Sequence, residues 1–107
     1  MSNPELVKKV EEQVKSSKVI VYMKGDKEAP RCGFSAAAVE VLKSYDIPFQ
    51  TVNVLEDENL WEALEEYSQW PTVPQIFING EFVGGCDIIT ELNERGELAK
   101  LASKASL

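Results

Sequence analysis

The chain has 107 residues, with 18 acidic and 11 basic side chains and no histidine, for a formal charge of -7. Nucleic-acid binding draws most of its affinity from Lys and Arg neutralising phosphates, so this balance argues against a nucleic-acid partner. The length suits one compact domain over residues 1–107, and 44% hydrophobic residues is enough for one core and speaks against disorder.

The charge is unevenly spread. Residues 1–43 hold eight bases and six acids, residues 44–94 eleven acids and no base, and residues 95–107 three bases and one acid. Whatever the middle segment binds must tolerate that. The longest apolar run, Val19 to Met23, falls far short of the roughly 20 residues a membrane helix needs. Met1-Ser2-Asn3-Pro4-Glu5 carries neither an apolar signal region nor an Arg-rich transit pattern. The expectation is a protein used where it is made, or one whose targeting segment is absent from this chain. Two cysteines, Cys32 and Cys86, are too few for a disulfide-stapled scaffold and favour a reducing compartment. Without histidine, any chemistry falls to sulfur, carboxylates or backbone groups.

In chain order, Asn3-Pro4 reads as a helix N-cap with proline at the first helical position, and Leu6, Val7, Val10 and Val14 follow at helical spacing to about Ser16. Val19 to Met23 has the length and composition of a strand buried on both faces. After a loop over 24–31, a helix from Gly33 to Tyr45 sets Phe34, Ala37, Ala38, Val41, Leu42 and Tyr45 on one stripe. Residues 49–54 suit a second strand, and strand, helix, strand implies a right-handed parallel crossover. Leu60, Trp61, Leu64 and Tyr67 predict a helix over about 58–68 with an acidic outer face. Ile76-Phe77-Ile78, Asn79-Gly80 and Glu81-Phe82-Val83 predict a hairpin, since Asn-Gly supplies the positive φ angles of a type I′ turn. A last helical region runs from Asp87 and is interrupted near Gly96. The order defines an α/β, thioredoxin-like fold: a four-stranded mixed sheet flanked by helices, with an extra N-terminal helix.

Cys32 precedes a helix start, where free N–H groups and the positive end of the helix dipole favour a thiolate. A free thiol titrates near about 8.5, and such a position can lower that by one to several units. Arg31 and Lys24 lie nearby in sequence. The bland alternative is a buried, inert cysteine. Cys32-Gly33-Phe34-Ser35 has C-x-x-C spacing with serine in the second position. A resolving step after a mixed disulfide therefore needs an external thiol or Cys86.

The chain resembles a monothiol glutaredoxin of the CGFS type over nearly its whole length. The resemblance rests on Met23-Lys24-Gly25, Cys32-Gly33-Phe34-Ser35, Trp70-Pro71-Thr72-Val73-Pro74-Gln75 and Asn79-Gly80-Glu81-Phe82-Val83-Gly84-Gly85-Cys86-Asp87. It implies a [2Fe-2S] cluster held between two subunits by each Cys32 and one glutathione per subunit. The implied role is iron–sulfur cluster assembly and transfer and redox homeostasis, with iron–sulfur assembly or BolA-like proteins as partners and weak or absent reductase activity. It also implies a glutathione groove lined by Lys24, Thr72, Val73 beside a cis Pro74, Gly85, Cys86 and Asp87. A cluster of this kind takes four thiolates or close equivalents, so one chain with two cysteines cannot ligate it alone. Two Cys32 with two external thiols close the count, and two Cys32 with two Cys86 is the protein-only alternative.

One departure stands out. The family commonly places an arginine for the glycine-end carboxylate of glutathione in the helix before Trp-Pro-Thr, and the matching position is Trp61. An uncompensated loss of a charged hydrogen bond lowers affinity by about 1.5–3 kcal/mol. The pocket is then expected to accept a thiol whose glycine carboxylate is masked, such as a polyamine-conjugated glutathione; the plain alternative is that Trp61 packs on the helix surface and Lys24 suffices. Trp70 reads as packing before a turn, Gly84-Gly85 as a strand end or a place of close ligand approach, and Cys86 as a buried small side chain or a resolving thiol. The acidic run over 56–66 is a solvated face or a docking surface for a basic partner. The competing function is an enzyme: a disulfide oxidoreductase or deglutathionylase with Cys32 as nucleophile. The mitochondrial matrix is the expected compartment, with the cytoplasm as the alternative, and no membrane partner is expected.

Overall fold

The computed structural model describes residues 4–44 and 48–105. Helix α1 spans Pro4–Ser16, β1 Val19–Met23, α2 Gly33–Lys43, β2 Gln50–Asn53, α3 Glu58–Ser68, β3 Gln75–Ile78, β4 Glu81–Gly84, α4 Cys86–Glu94 and α5 Glu97–Ala105, with a 3-10 turn at Val54–Glu56. The expected cap at Asn3 and the stripe position Tyr45 lie outside the described residues. The sheet order is β2-β1-β3-β4, with β1 parallel to β2 and antiparallel to β3, and β3 antiparallel to β4. This is the thioredoxin-like arrangement, including the N-terminal helix. No described helix is long and apolar enough to cross a membrane.

The period-2 geometry of the central strands divides the core in two. Val19, Val21 and Met23 of β1, with Ile76 and Ile78 of β3, face Ala38, Val39, Leu42, Ile89 and Leu98 of α2, α4 and α5. Ile20, Tyr22 and Phe77 point the other way, onto Val10, Val14, Leu60, Ala63 and Leu64 of α1 and α3. A strand covered on both faces shows no polar alternation, which is why β1 reads as one apolar run.

Several boundaries shift for identifiable reasons. The second strand ends at Asn53 because its Oδ1 accepts from Leu55 N at 3.0 Å, curling the chain into the 3-10 turn. Helix α3 begins where expected: Asp57 Oδ1 accepts from Asn59 N at 3.0 Å and Leu60 N at 3.3 Å. Asn79 (φ 55°) and Gly80 (φ 82°) both take the positive φ of the expected hairpin turn.

The buried face of α2 differs from the predicted stripe. Ser35, Ala38, Val39 and Leu42 are buried, spaced i, i+3, i+4, i+7, whereas Ala37 is exposed and Phe34 is 65% exposed. Apolar residues alone set the stripe about one position off, because the buried Ser35 is polar and adds nothing to the apolar pattern.

Candidate functional site

The site begins at the end of β1. Asn53 Oδ1 also accepts from Gly25 N at 3.0 Å, tying the turn after Lys24 to β2. Arg31 N donates to Lys24 O at 2.9 Å, and this closes the 24–31 loop directly ahead of Cys32. Cys32 occupies the N-cap of α2 in extended backbone (φ −148°, ψ 138°), and its C=O accepts from Ala36 N at 2.9 Å.

Its thiol is held below the ordinary thiol range. The largest cause is the Ser35 backbone N–H; those of Phe34, the Lys24 charge and the Ser35 hydroxyl act the same way, against partial burial, which opposes them. The expectation of an N-terminal helix effect is met. Of the two cations near in sequence, Lys24 contributes to this lowering and Arg31 does not. Ser35, at the second-cysteine position, is fully buried and accepts from Lys24 N at 3.3 Å. Serine there links the thiol to the end of β1.

Around Cys32 lies a groove of about 400 Å³ lined by Lys24, Phe34, Trp61, residues 70–74 and residues 85–88. That brings every predicted site residue together: Lys24, Cys32, Thr72, Val73, Pro74, Gly85, Cys86 and Asp87 all line it. The Val73-Pro74 peptide is cis. Gln75, fully buried, donates from Nε2 to Trp70 O at 2.9 Å and Thr72 O at 3.0 Å, so one side chain shapes the loop that presents Val73. The motif containing Gln75 was legible in sequence, but this role was not.

On the opposite wall, Gly84 has φ 147°, and a Cβ there would lie 2.7 Å from Ile88 Cβ. A Cβ on Gly85 would come within 3.1 Å of Pro74 O. The two glycines thus let α4 start against the cis-proline loop, with Cys86 as its first residue. Two helix N-termini, of α2 and α4, border one groove, and among the described residues Lys24 is its one cationic lining residue. Lys24 Nζ sits 5.6 Å from the centroid of the Trp61 ring. Trp61 therefore forms part of the groove wall and holds its cation, which is more than packing on a helix surface. Phe34, Trp70, Pro71 and Ile88 complete the lining, and Trp70 also packs on Phe82 at 5.9 Å. Apolar periodicity puts Phe34 on the buried stripe of α2 and gives no signal that it faces the groove.

A cysteine capping a helix beside a cis-proline loop, on a four-stranded mixed sheet, defines a thioredoxin-like protein built around a groove cysteine. The glutaredoxin family model matches residues 19–83. The chain is 48% identical over 104 residues to the chloroplastic monothiol glutaredoxin-S7 of Oryza sativa subsp. japonica, covering 97% of this chain and 62% of that one. It is 47% identical over 103 residues to an uncharacterized monothiol glutaredoxin, ycf64-like, of Synechocystis, covering 96% of each. The solution structure of reduced apo GrxS14 from poplar superposes with a TM-score of 0.84 at 49% identity, covering 97% of this chain and 95% of that one. The chain belongs to the glutaredoxin family, among the monothiol glutaredoxins. It spans about three fifths of the length of the rice relative.

Proposed function

We propose that this chain carries a [2Fe-2S] cluster between two copies of itself, with one glutathione-type thiol per copy, and delivers it in iron–sulfur cluster assembly and redox homeostasis. The observation that carries this reading is Cys32: a thiol held below its ordinary range by the backbone N–H groups opening α2, at a groove whose volume falls within the roughly 300–1,000 Å³ of small-molecule sites. The donor set fits a shared centre. Among the described residues no three His, Cys, Asp or Glu side chains group as a metal site, so one chain offers Cys32 and the remaining thiolates come from the second copy and from the bound thiols. The cluster is cargo. The chain's own groups seat the thiol: Lys24 and the N–H groups opening α4 take carboxylates, the Val73 backbone pairs as an added strand would, and Asp87 accepts from an amino group.

Anaerobic reconstitution with iron, sulfide and glutathione tests this. Visible charge-transfer absorption in a dimer, lost in Cys32→Ser and kept in Cys86→Ser, is the expected outcome; colour surviving in Cys32→Ser overturns it. Iron–sulfur assembly or BolA-like proteins are the proposed partners, and the mitochondrial matrix is the proposed compartment, with the cytoplasm as the alternative.

The thiol itself follows from Trp61. With no base between Lys43 and Arg95, Lys24 answers for the glycine-end carboxylate alone, and its charge already rests on the Trp61 face. A thiol with that carboxylate masked by a polyamine fits this wall better than plain glutathione. Calorimetry is expected to show tighter binding of the conjugate, and Trp61→Arg is expected to strengthen plain glutathione binding roughly 10- to 150-fold, the equivalent of about 1.5–3 kcal/mol. Equal binding of both thiols sinks the preference.

The presence of Cys86 in the same groove favours one second reading, deglutathionylation. Cys32 thiolate attacks the glutathione sulfur of a mixed disulfide and releases the protein thiolate. Cys86 or a small thiol then attacks the Cys32–glutathione disulfide, expelling one thiolate and leaving a new disulfide. Brisk turnover by a colourless protein would support it.

A further inference from the structure

A second groove, of about 390 Å³, adjoins the first. Val54, Leu55, Glu58, Trp61, Glu62 and Glu65 line it, and Trp61 belongs to both. Its floor is apolar: Leu55 is 46% exposed although large and hydrophobic, and Val54 is buried beneath. Its rim is acidic. Glu58, Glu62 and Glu65 recur at i, i+4, i+7 on one exposed face of α3, and among the described residues none has an ion-pair partner. Between Lys43 and Arg95 the chain has no base that could neutralise them.

We propose that this groove docks a basic peptide segment of a partner protein, one apolar side chain seated on Leu55 and Trp61 and flanking lysines or arginines over the glutamates. Charge complementarity selects this occupant. A second copy docked on this face through its own α3 would set the same three glutamates against these, and the same carboxylates repel an acidic or anionic surface. Because Trp61 separates the two grooves, a segment held here lies at the edge of the Cys32 groove. The proposal does not depend on what Cys32 carries.

The test uses the full-length protein and the probe Ac-Lys-Lys-Leu-Lys-Lys-NH2, with binding followed by amide NMR shifts. Saturable shifts centred on residues 54–65 are expected. Neutralising the rim with Glu58→Gln, Glu62→Gln and Glu65→Gln together should weaken binding about tenfold, from roughly 0.5 kcal/mol per exposed pair. Three equal charge changes elsewhere, Glu81→Gln, Glu94→Gln and Glu97→Gln, should change it less than about threefold on the same reckoning. Replacing the probe's leucine by serine should also weaken it. Cys32→Ser, which removes the proposed cluster ligand, should leave peptide binding intact, so the two readings fail separately. Equal weakening by both glutamate triplets means that net charge alone attracts the peptide and overturns the proposal. So does displacement by an equal concentration of spermidine, which would make the occupant a small polyamine, or a peptide-free dimer abolished by the rim variant, which would make it a second copy.

Discussion

Cys32 owes its character to its position at the start of α2. The main stabilisation comes from backbone N–H groups that no side-chain substitution removes, with Lys24 and the Ser35 hydroxyl adding to it. The rate of iodoacetamide modification against pH should therefore have a midpoint below that of the urea-unfolded chain, and Lys24→Gln or Ser35→Ala should raise it only part of the way. A midpoint identical in folded and unfolded protein contradicts the geometry. The linked stability has a definite sign: a thiol lowered by folding contributes stability above its unfolded pKa, and this is lost as pH falls through the folded value. Gln75 is the other residue whose change has a clear cost. Gln75→Ala removes the Nε2 donor from Thr72 O and leaves Trp70 O with only the 3.5 Å bond from the Ser68 hydroxyl, which should lower stability by about 1–3 kcal/mol in urea denaturation and weaken thiol binding. Removal without effect on either would mean that the loop is held by other contacts.

Among the elements, β3 links the core to the groove. Phe77 packs edge-on against Tyr22 at 5.8 Å, on Tyr67 at 6.0 Å and on Phe82 at 5.2 Å, and Phe82 in turn carries Trp70. Phe77→Ala should cost about 3–5 kcal/mol and loosen the groove wall with it, seen as a red-shifted Trp emission alongside a lower melting temperature. Retained emission at reduced stability would show that the wall does not depend on this aromatic chain. Local elements with strong chemistry were legible before the structure: α3 starts at its Asp57 cap, and the hairpin turns at Asn79-Gly80. The apolar pattern of α2 is one position out of phase with its buried face, because a buried serine carries no hydrophobic signal although its hydroxyl is satisfied inside the fold.

For the molecule as a whole, the sheet order brings together three segments far apart in sequence: the end of β1 with the Cys32 cap, the cis-proline loop before β3, and the start of α4 after β4. The charge asymmetry that first excluded nucleic acid acquires a place, since the base-free segment supplies α3, whose Trp61 divides the thiol groove from the acidic one. The sequence by itself determined the element order, the single C-x-x-C thiol and the shortage of cations, because capping, turn chemistry and apolar periodicity are local and charge is a count. Only the tertiary structure decided that Lys24 rests on Trp61, that Gln75 shapes the Val73 loop, that Phe34 faces the groove and that two cavities share a wall. Those are contacts between residues distant in the chain, and which pairs meet depends on how the two layers of helices pack across the sheet.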